Sequence, residues 1–166
     1  VLTTSPSMDI LISSNLERLI YLICGEDSEK TKELMEELKT TGKYTITPEM
    51  KEKLADFAAG YSTEAETAES IHDTYKKTGY VMDTHTAVAA HVCKQYREQT
   101  GDQTKCVIAS TASPYKFVKS VMSAIDAENA NADEFDLLPK LQEVSGVPMP
   151  QAIKDILDAK ILHNLE

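Results

Sequence analysis

The sequence contains no tryptophan, only three cysteines and six glycines among 166 residues, and no long apolar run. Because the glycines stand isolated from one another, neither a G-x-G-x-x-G dinucleotide loop nor a Walker phosphate loop can form. A G-x-S-x-G nucleophile elbow is also absent. No stretch approaches the roughly 18 apolar residues of a membrane-spanning helix, so we expect no membrane partner.

Positive charge is scarce as well. The chain has 17 Lys and Arg residues against 27 Asp and Glu residues, which gives a net charge of −10. Nucleic acid requires clustered basic side chains for its phosphates, and a helix on a membrane surface requires a basic polar face. We therefore expect no nucleic-acid partner and no attraction to an acidic membrane.

The cysteines, Cys24, Cys93 and Cys106, are odd in number, widely spaced and without a C-x-x-C motif. This pattern is typical of reduced thiols in a cytoplasmic protein. Cys106 precedes apolar residues and is expected to be a small core residue. With 42% hydrophobic residues in a chain of this length, we expect one compact domain.

Helix start and stop signals are abundant. Ser14 with Glu17, and Thr63 with Glu66, fit the capping-box pattern, while Asp83 is placed to cap the helix after it. Most of the glycines fall where these apolar periods end, as helix stops do. The signals predict helices over residues 15–24, 28–39, 48–57, 64–77, 85–99, 114–127, 133–144 and 150–159.

Short apolar runs between these helices predict strands. The run Cys106–Ala109 has no polar alternation, as in a strand that is buried on both faces of a parallel sheet. Weaker candidates are residues 44–46, 58–61 and 80–82. The fold predicted from this order is α/β, with a small, mostly parallel sheet and many flanking helices.

Two places have residues suited to binding. The hydroxyl-rich turn Ser110–Ser113 follows the predicted strand, at the carboxyl end where α/β folds bind ligands; the alternative is a well-capped turn before Pro114. His85 begins a helix just after Asp83, and the alternative there is a residue that only bonds to that cap. His85 and His91 are six residues apart and face different sides of a helix, so we predict no metal site.

Three segments resemble threonine synthase, in the branch found in yeasts and many bacteria. Ser5–Arg18 (SPSMDILISSNLER) resembles one of its signature segments. Asp83–Val88 resembles its D-P-H-T-A-V motif, with Thr84 in place of proline. Ser110–Phe117 resembles S-T-A-H-P-x-K-F, with Ser113 in place of the usual histidine. The resemblance runs in the same order over residues 1–125.

The resemblance implies a fold-type II enzyme that uses pyridoxal 5′-phosphate to convert O-phospho-L-homoserine and water to L-threonine and phosphate. In that family the Schiff-base lysine lies in an S-F-K-D-type motif and the phosphate cradle in a G-N-F-G-type loop. Neither motif occurs here, so residues 1–166 are expected to be a single C-terminal α/β portion. The N-terminal half would be its partner, the portion alone would be inactive, and no catalytic residue is assigned within it.

The resemblance also implies roles for individual residues. The hydroxyl of Thr111 would face the pyridine nitrogen of the cofactor, with Ser110 as its neighbour. Asp83 and His85 would shape the site. Asn15 and Arg18 are candidates for contact with a phosphate or carboxylate, although an ordinary surface ion pair would also account for Arg18.

Two other functions remain open at this point. One is a stand-alone acidic α/β interaction domain, which would have a closed surface. The other is a different fold-type II pyridoxal-phosphate lyase, although the Ser5–Arg18 segment argues against it. A portion of an enzyme would instead leave apolar surface uncovered where the missing half packs.

Overall fold

Helices dominate the protein. The computed structural model describes residues 2–10 and 12–160, of which 61% are helical and none lies in a strand. Within these residues no helix is both long and apolar enough to cross a membrane. The α-helices are α1 (Ser14–Ile23), α2 (Ser28–Thr41), α3 (Pro48–Glu52), α4 (Glu64–Thr78), α5 (Thr84–Thr100), α6 (Val118–Ile125), α7 (Glu134–Ser145) and α8 (Gln151–Leu157). Short 3₁₀ helices span Pro114–Phe117 and Ala127–Asn131.

The chain divides into two compact units, and the smaller is Asp9–Gly60. It holds α1, α2 and α3. Four buried side chains form its core, namely Ile20, Ile23, Leu34 and Met50. Ile20 and Ile23 are three residues apart in α1, so one face of this helix supplies the apolar contact.

The larger unit comprises Val1–Met8 and Tyr61–Glu166. In α6 the buried side chains recur at the spacing of one helical face. They pack with Ile71 of α4 and with leucines of α7 into a single cluster. Its fully or nearly fully buried members include Val118, Val121, Met122, Leu137 and Leu141.

The predicted α/β class with a parallel sheet is wrong, because the described residues contain no strand. The run Cys106–Ala109, which was to be the central strand, is irregular and exposed; Val107 is 88% accessible to solvent. Residues 44–46, 58–61 and 80–82 are irregular too. A strand is stabilised by hydrogen bonds from a neighbouring strand, and no described segment supplies them.

Several of the predicted helix caps are confirmed, unlike the predicted strands. Thr63 and Glu66 form the predicted capping box, and Asp83 caps α5. Ser113 caps the 3₁₀ turn that begins at Pro114. The capping box predicted at Ser14 is wrong, because Ser14 is the first residue of α1 and Ser13 precedes it without a side-chain cap bond.

The capping box of α4 makes a testable contribution to acid stability. The backbone N–H of Thr63 and its hydroxyl both donate to Glu66 Oε2 at 2.7 Å. These bonds, the backbone one first, hold the pKa of Glu66 below its ordinary value of 4.5. The carboxylate therefore stabilises the fold fully above that value, and the stabilisation is lost as the pH falls through the lowered pKa.

We expect Glu66→Gln to lose less stability than the unmodified chain between roughly pH 5 and pH 3. Urea denaturation at several pH values, followed by far-ultraviolet circular dichroism, measures this. Glu69→Gln changes an exposed carboxylate about one turn further along α4 and is the matched control. Equal acid sensitivity of the two variants would contradict the assignment.

Candidate functional site

The buried carboxylate of Asp83 organises the N-terminus of α5. Asp83 is fully inaccessible to solvent. Its Oδ1 accepts the backbone N–H of His85 at 2.9 Å and that of Thr86 at 3.2 Å. Its Oδ2 accepts a short hydrogen bond from the Thr86 hydroxyl. These bonds satisfy donors that the first turn of a helix leaves without partners.

Thr86 connects this carboxylate to the hydroxyl-rich turn. Its Oγ1 lies 3.0 Å from Ser110 Oγ, so the two hydroxyls are hydrogen bonded. The single hydroxyl proton of Thr86 goes to the carboxylate of Asp83, which only accepts; Ser110 is therefore the donor between the two hydroxyls. Ser110 is held by this bond, although its side chain is on the surface of the molecule.

The imidazole of His85 is buried and held on two sides. The backbone N–H of Ser7 donates to its Nε2 at 3.3 Å. A neutral ring that accepts at Nε2 carries its proton on Nδ1, which lies 3.9 Å from Asp83 Oδ1, beyond hydrogen-bond distance. The ring of Phe117 packs edge-on at 4.7 Å between centroids, at an interplanar angle of 72°.

The N-terminal segment is fixed to the same helix end. The hydroxyl of Thr84 donates to the carbonyl oxygen of Thr4 at 2.9 Å. The backbone N–H of Thr4 donates in turn to Glu64 Oε1 at 3.0 Å. Together with the contact between Ser7 and His85, these bonds hold residues 4–7, which include the start of the first resembling segment, at this helix end.

Residues from each of the three segments that carry the resemblance therefore lie around His85. Ser7 comes from the first, His85 and Thr86 from the second, and Ser110 and Phe117 from the third. The predicted site residues Asp83, His85 and Ser110 lie in this cluster. We call it the α5 cap cluster.

The other predicted site residues lie outside the cluster's hydrogen bonds. Thr111 follows Ser110 directly and is exposed, and Ser113 accepts the backbone N–H of Tyr115 at 3.3 Å as a cap. Asn15 and Arg18 are exposed on α1 and belong to the smaller unit. There Arg18 lines a depression of about 460 Å³ beside α2.

Sequence reasoning did not assign Ser7, Thr86 or Phe117, although all three take part in the cluster. For Thr86 a signal existed, since a hydroxyl three residues after an N-cap can reach the capping carboxylate. No local sequence pattern indicates the contacts that Ser7 and Phe117 make with His85. They depend on where distant parts of the chain return.

The turn beside the cluster has a hydroxyl of the kind that a pyridine-type cofactor requires for its ring nitrogen. The exposed hydroxyl of Thr111 follows Ser110 beside the buried cluster. Because Ser110 already donates its proton to Thr86, Thr111 is the hydroxyl of the two that can donate to a ring nitrogen. Among the described glycines, those with positive φ all end helices, so none of them forms a phosphate cradle. Lys116 is exposed, with Nζ 5.4 Å from the ring centroid of Phe117.

Comparison with known proteins shows what this chain is similar to. Residues 86–160 match the family model described as "Threonine synthase, C-terminal". Threonine synthase-like 1 of Homo sapiens is 35% identical over 147 residues, which cover 88% of this chain and 19% of that protein. The chain is thus homologous to the C-terminal region of threonine synthase.

Two solved structures share its fold. Pyridoxal-phosphate-bound threonine synthase from Brucella melitensis aligns with a TM-score of 0.67 at 40% identity, over 75% of this chain and 26% of that one. Yeast threonine synthase aligns with a TM-score of 0.69 at 32% identity, over 89% of this chain and 32% of that one. The chain therefore spans a third or less of these relatives.

Proposed function

We propose that this chain is the C-terminal part of a threonine synthase, an enzyme that converts O-phospho-L-homoserine and water to L-threonine and phosphate with pyridoxal phosphate. The observation that supports the proposal most is the α5 cap cluster, to which each of the three resembling segments contributes residues. Residues that carry the resemblance, although far apart in the sequence, thus lie together at one helix end.

Within that enzyme the hydroxyl of Thr111 donates to the ring nitrogen of the cofactor, and Ser110 stands beside it. When bound, pyridoxal phosphate supplies an electron sink for the reacting carbon. Asp83 and Thr86 hold Ser110 in place through the hydrogen bonds described above. Asn15 and Arg18 remain candidates for contact with the substrate's phosphate or carboxylate.

We infer that the N-terminal half of the enzyme is the chain's partner and that this portion alone is inactive. Apolar side chains are uncovered on the larger unit, including Val107 at 88%, Ile108 at 37% and Tyr80 at 53% exposure. Such residues at the surface favour a missing partner over a stand-alone interaction domain, whose surface would be closed. The acidic charge argues against nucleic acid, and we place the enzyme in the cytoplasm.

Reconstitution tests the proposal. The chain is co-expressed with the N-terminal part of the yeast relative, which we expect to supply the cofactor lysine and the phosphate loop. Phosphate release from O-phospho-L-homoserine is then measured with pyridoxal phosphate present. We expect activity from the pair and none from either part alone. Borohydride reduction and peptide mapping should place the cofactor label on a lysine of the added part.

Lys116→Gln and Lys119→Gln serve as controls, because both lysines are exposed in this chain. The label and the activity should survive both changes. Stoichiometric labelling of either lysine, or phosphate release by the chain on its own, would refute the proposed division of roles.

A further inference from the structure

The segment after α5 returns along that helix. At one end, a guanidinium nitrogen of Arg97 donates to the carbonyl oxygen of Thr104 at 2.8 Å. At the other end, Thr86 is hydrogen bonded to Ser110 at 3.0 Å. Between these two contacts the chain runs antiparallel to α5, with one cysteine on each side: Cys93 in the helix and Cys106 in the returning segment.

The register of this return places the two cysteines opposite each other. From Arg97 back to Cys93 the helix advances about 6 Å, at 1.5 Å per residue. From Thr104 to Cys106 the chain advances at most about 7 Å, because even a fully extended chain rises 3.3 Å per residue. Thr86, Cys93 and Arg97 are also separated by nearly whole turns at 3.6 residues each, so they share one face of α5.

The side chains agree with this register. Both cysteines are free thiols; Cys93 is half-buried and Cys106 is exposed. The pKa of Cys93 is raised, first by a hydrogen bond with the Cys106 thiol and then by burial. The register of the two segments, together with this interaction, places the two thiols side by side. The expectation that Cys106 is a core residue is wrong, because it lies at the surface beside its partner.

We propose that Cys93 and Cys106 form a dithiol site that small-molecule disulfides of the glutathione type oxidise reversibly to an intramolecular disulfide. The thiolate of the exposed Cys106 attacks the small disulfide, forms a mixed disulfide and releases one small thiolate. Cys93 then loses its proton and attacks the Cys106 sulfur, releasing the second small thiolate. Two protein thiols are oxidised, one small disulfide is reduced, and the two protons pass to the small thiols that leave.

Formation of this disulfide would change how the segment after α5 is held, which is separate from the proposed enzymatic function. A Cys93–Cys106 bond would close a loop around the end of α5 and tie the exposed residues 106–110 to that helix. Since Ser110 is already bonded to Thr86, the oxidised segment would be held to α5 at two points. The redox state of this pair would therefore govern how freely the segment can leave the helix.

The test uses the whole chain in a Cys24→Ser background, which removes the third thiol. The protein is treated with oxidised glutathione, and free thiols, intact mass and disulfide-linked peptides are measured over time. We expect both thiols to be lost, a mass decrease equal to two hydrogens, a peptide pair joining Cys93 to Cys106, and recovery of both thiols with dithiothreitol.

Two variants make the outcome specific. Cys93→Ser should retain a glutathione adduct on Cys106, because nothing resolves the mixed disulfide. In Cys106→Ser with Val107→Cys, the thiol is moved by one residue to a position that is 88% exposed. Ring closure there should be at least about tenfold slower, because the reacting sulfurs must be aligned.

An adduct that persists on Cys106 while Cys93 is present would overturn the proposal. So would disulfide-linked dimers in place of the intramolecular bond, or equal closure rates for the thiols at positions 106 and 107.

Discussion

Replacing Asp83 with alanine is expected to lower the free energy of unfolding of the larger unit by about 3 kcal/mol. The change removes an N-cap, which costs about 1 kcal/mol. It also leaves the backbone N–H groups of His85 and Thr86 without their acceptor, in a buried place where an unsatisfied polar group costs about 1–3 kcal/mol. Asp83 is wholly inaccessible, so water cannot replace the missing oxygens without local opening.

Urea denaturation followed by circular dichroism measures the loss, and amide hydrogen exchange localises it. The amides of His85 and Thr86 donate to Asp83 Oδ1. The substitution should increase their exchange rates more than it increases those of the amides in α7. Ser113→Ala is the matched control, because it removes an exposed cap and should cost about 1 kcal/mol or less. If the two variants were equally stable, the buried carboxylate would not have the organising role assigned to it.

In the reconstituted enzyme, Thr111→Val is expected to lower kcat by roughly ten- to a hundredfold. Valine keeps the branched shape but lacks the hydroxyl that would donate to the ring nitrogen. A lost hydrogen bond to a buried acceptor costs about 1–3 kcal/mol, and each 1.4 kcal/mol in a barrier is about tenfold in rate. Cofactor affinity should fall as well. Folding of this chain should not change, since Thr111 is exposed in it.

Two further substitutions separate the hydroxyl from other causes. Thr111→Ser retains the donor and should restore most of the turnover, whereas Ser113→Ala should leave it nearly intact. Steady-state phosphate release and cofactor titration supply the measurements. Unimpaired turnover in Thr111→Val, together with loss of turnover in Ser113→Ala, would mean that the cofactor contact belongs to Ser113.

The helix ends could be predicted because their causes are local. Thr63 is hydrogen bonded to Glu66, and Asp83 to Thr86. In each pair the residues are only three positions apart in the sequence. At Ser14 the same pattern failed, because Ser14 is the first residue of α1 and Ser13 before it makes no side-chain cap bond. The serine–glutamate spacing says that a cap is possible, but it does not fix which residue starts the helix.

The sheet was predicted wrongly because a strand is not a local structure. The run Cys106–Ala109 has the apolar composition of a buried strand, but composition cannot supply the neighbouring chain that its N–H and C=O groups need. Here the segment instead follows α5, with contacts from Arg97 at one end and Thr86 at the other. Val81 and Met82 show the same limit, since helices bury them without any strand pairing.

By itself the sequence determined most of the helices and their caps, and it determined the kinship carried by three short segments. Only the tertiary structure decided that these segments meet. Ser7 and His85 are 78 residues apart and Thr86 and Ser110 are 24 apart, yet each pair is hydrogen bonded. Contacts of this kind depend on the path by which the chain returns, and that path is set by packing of the whole core around α6 and α7.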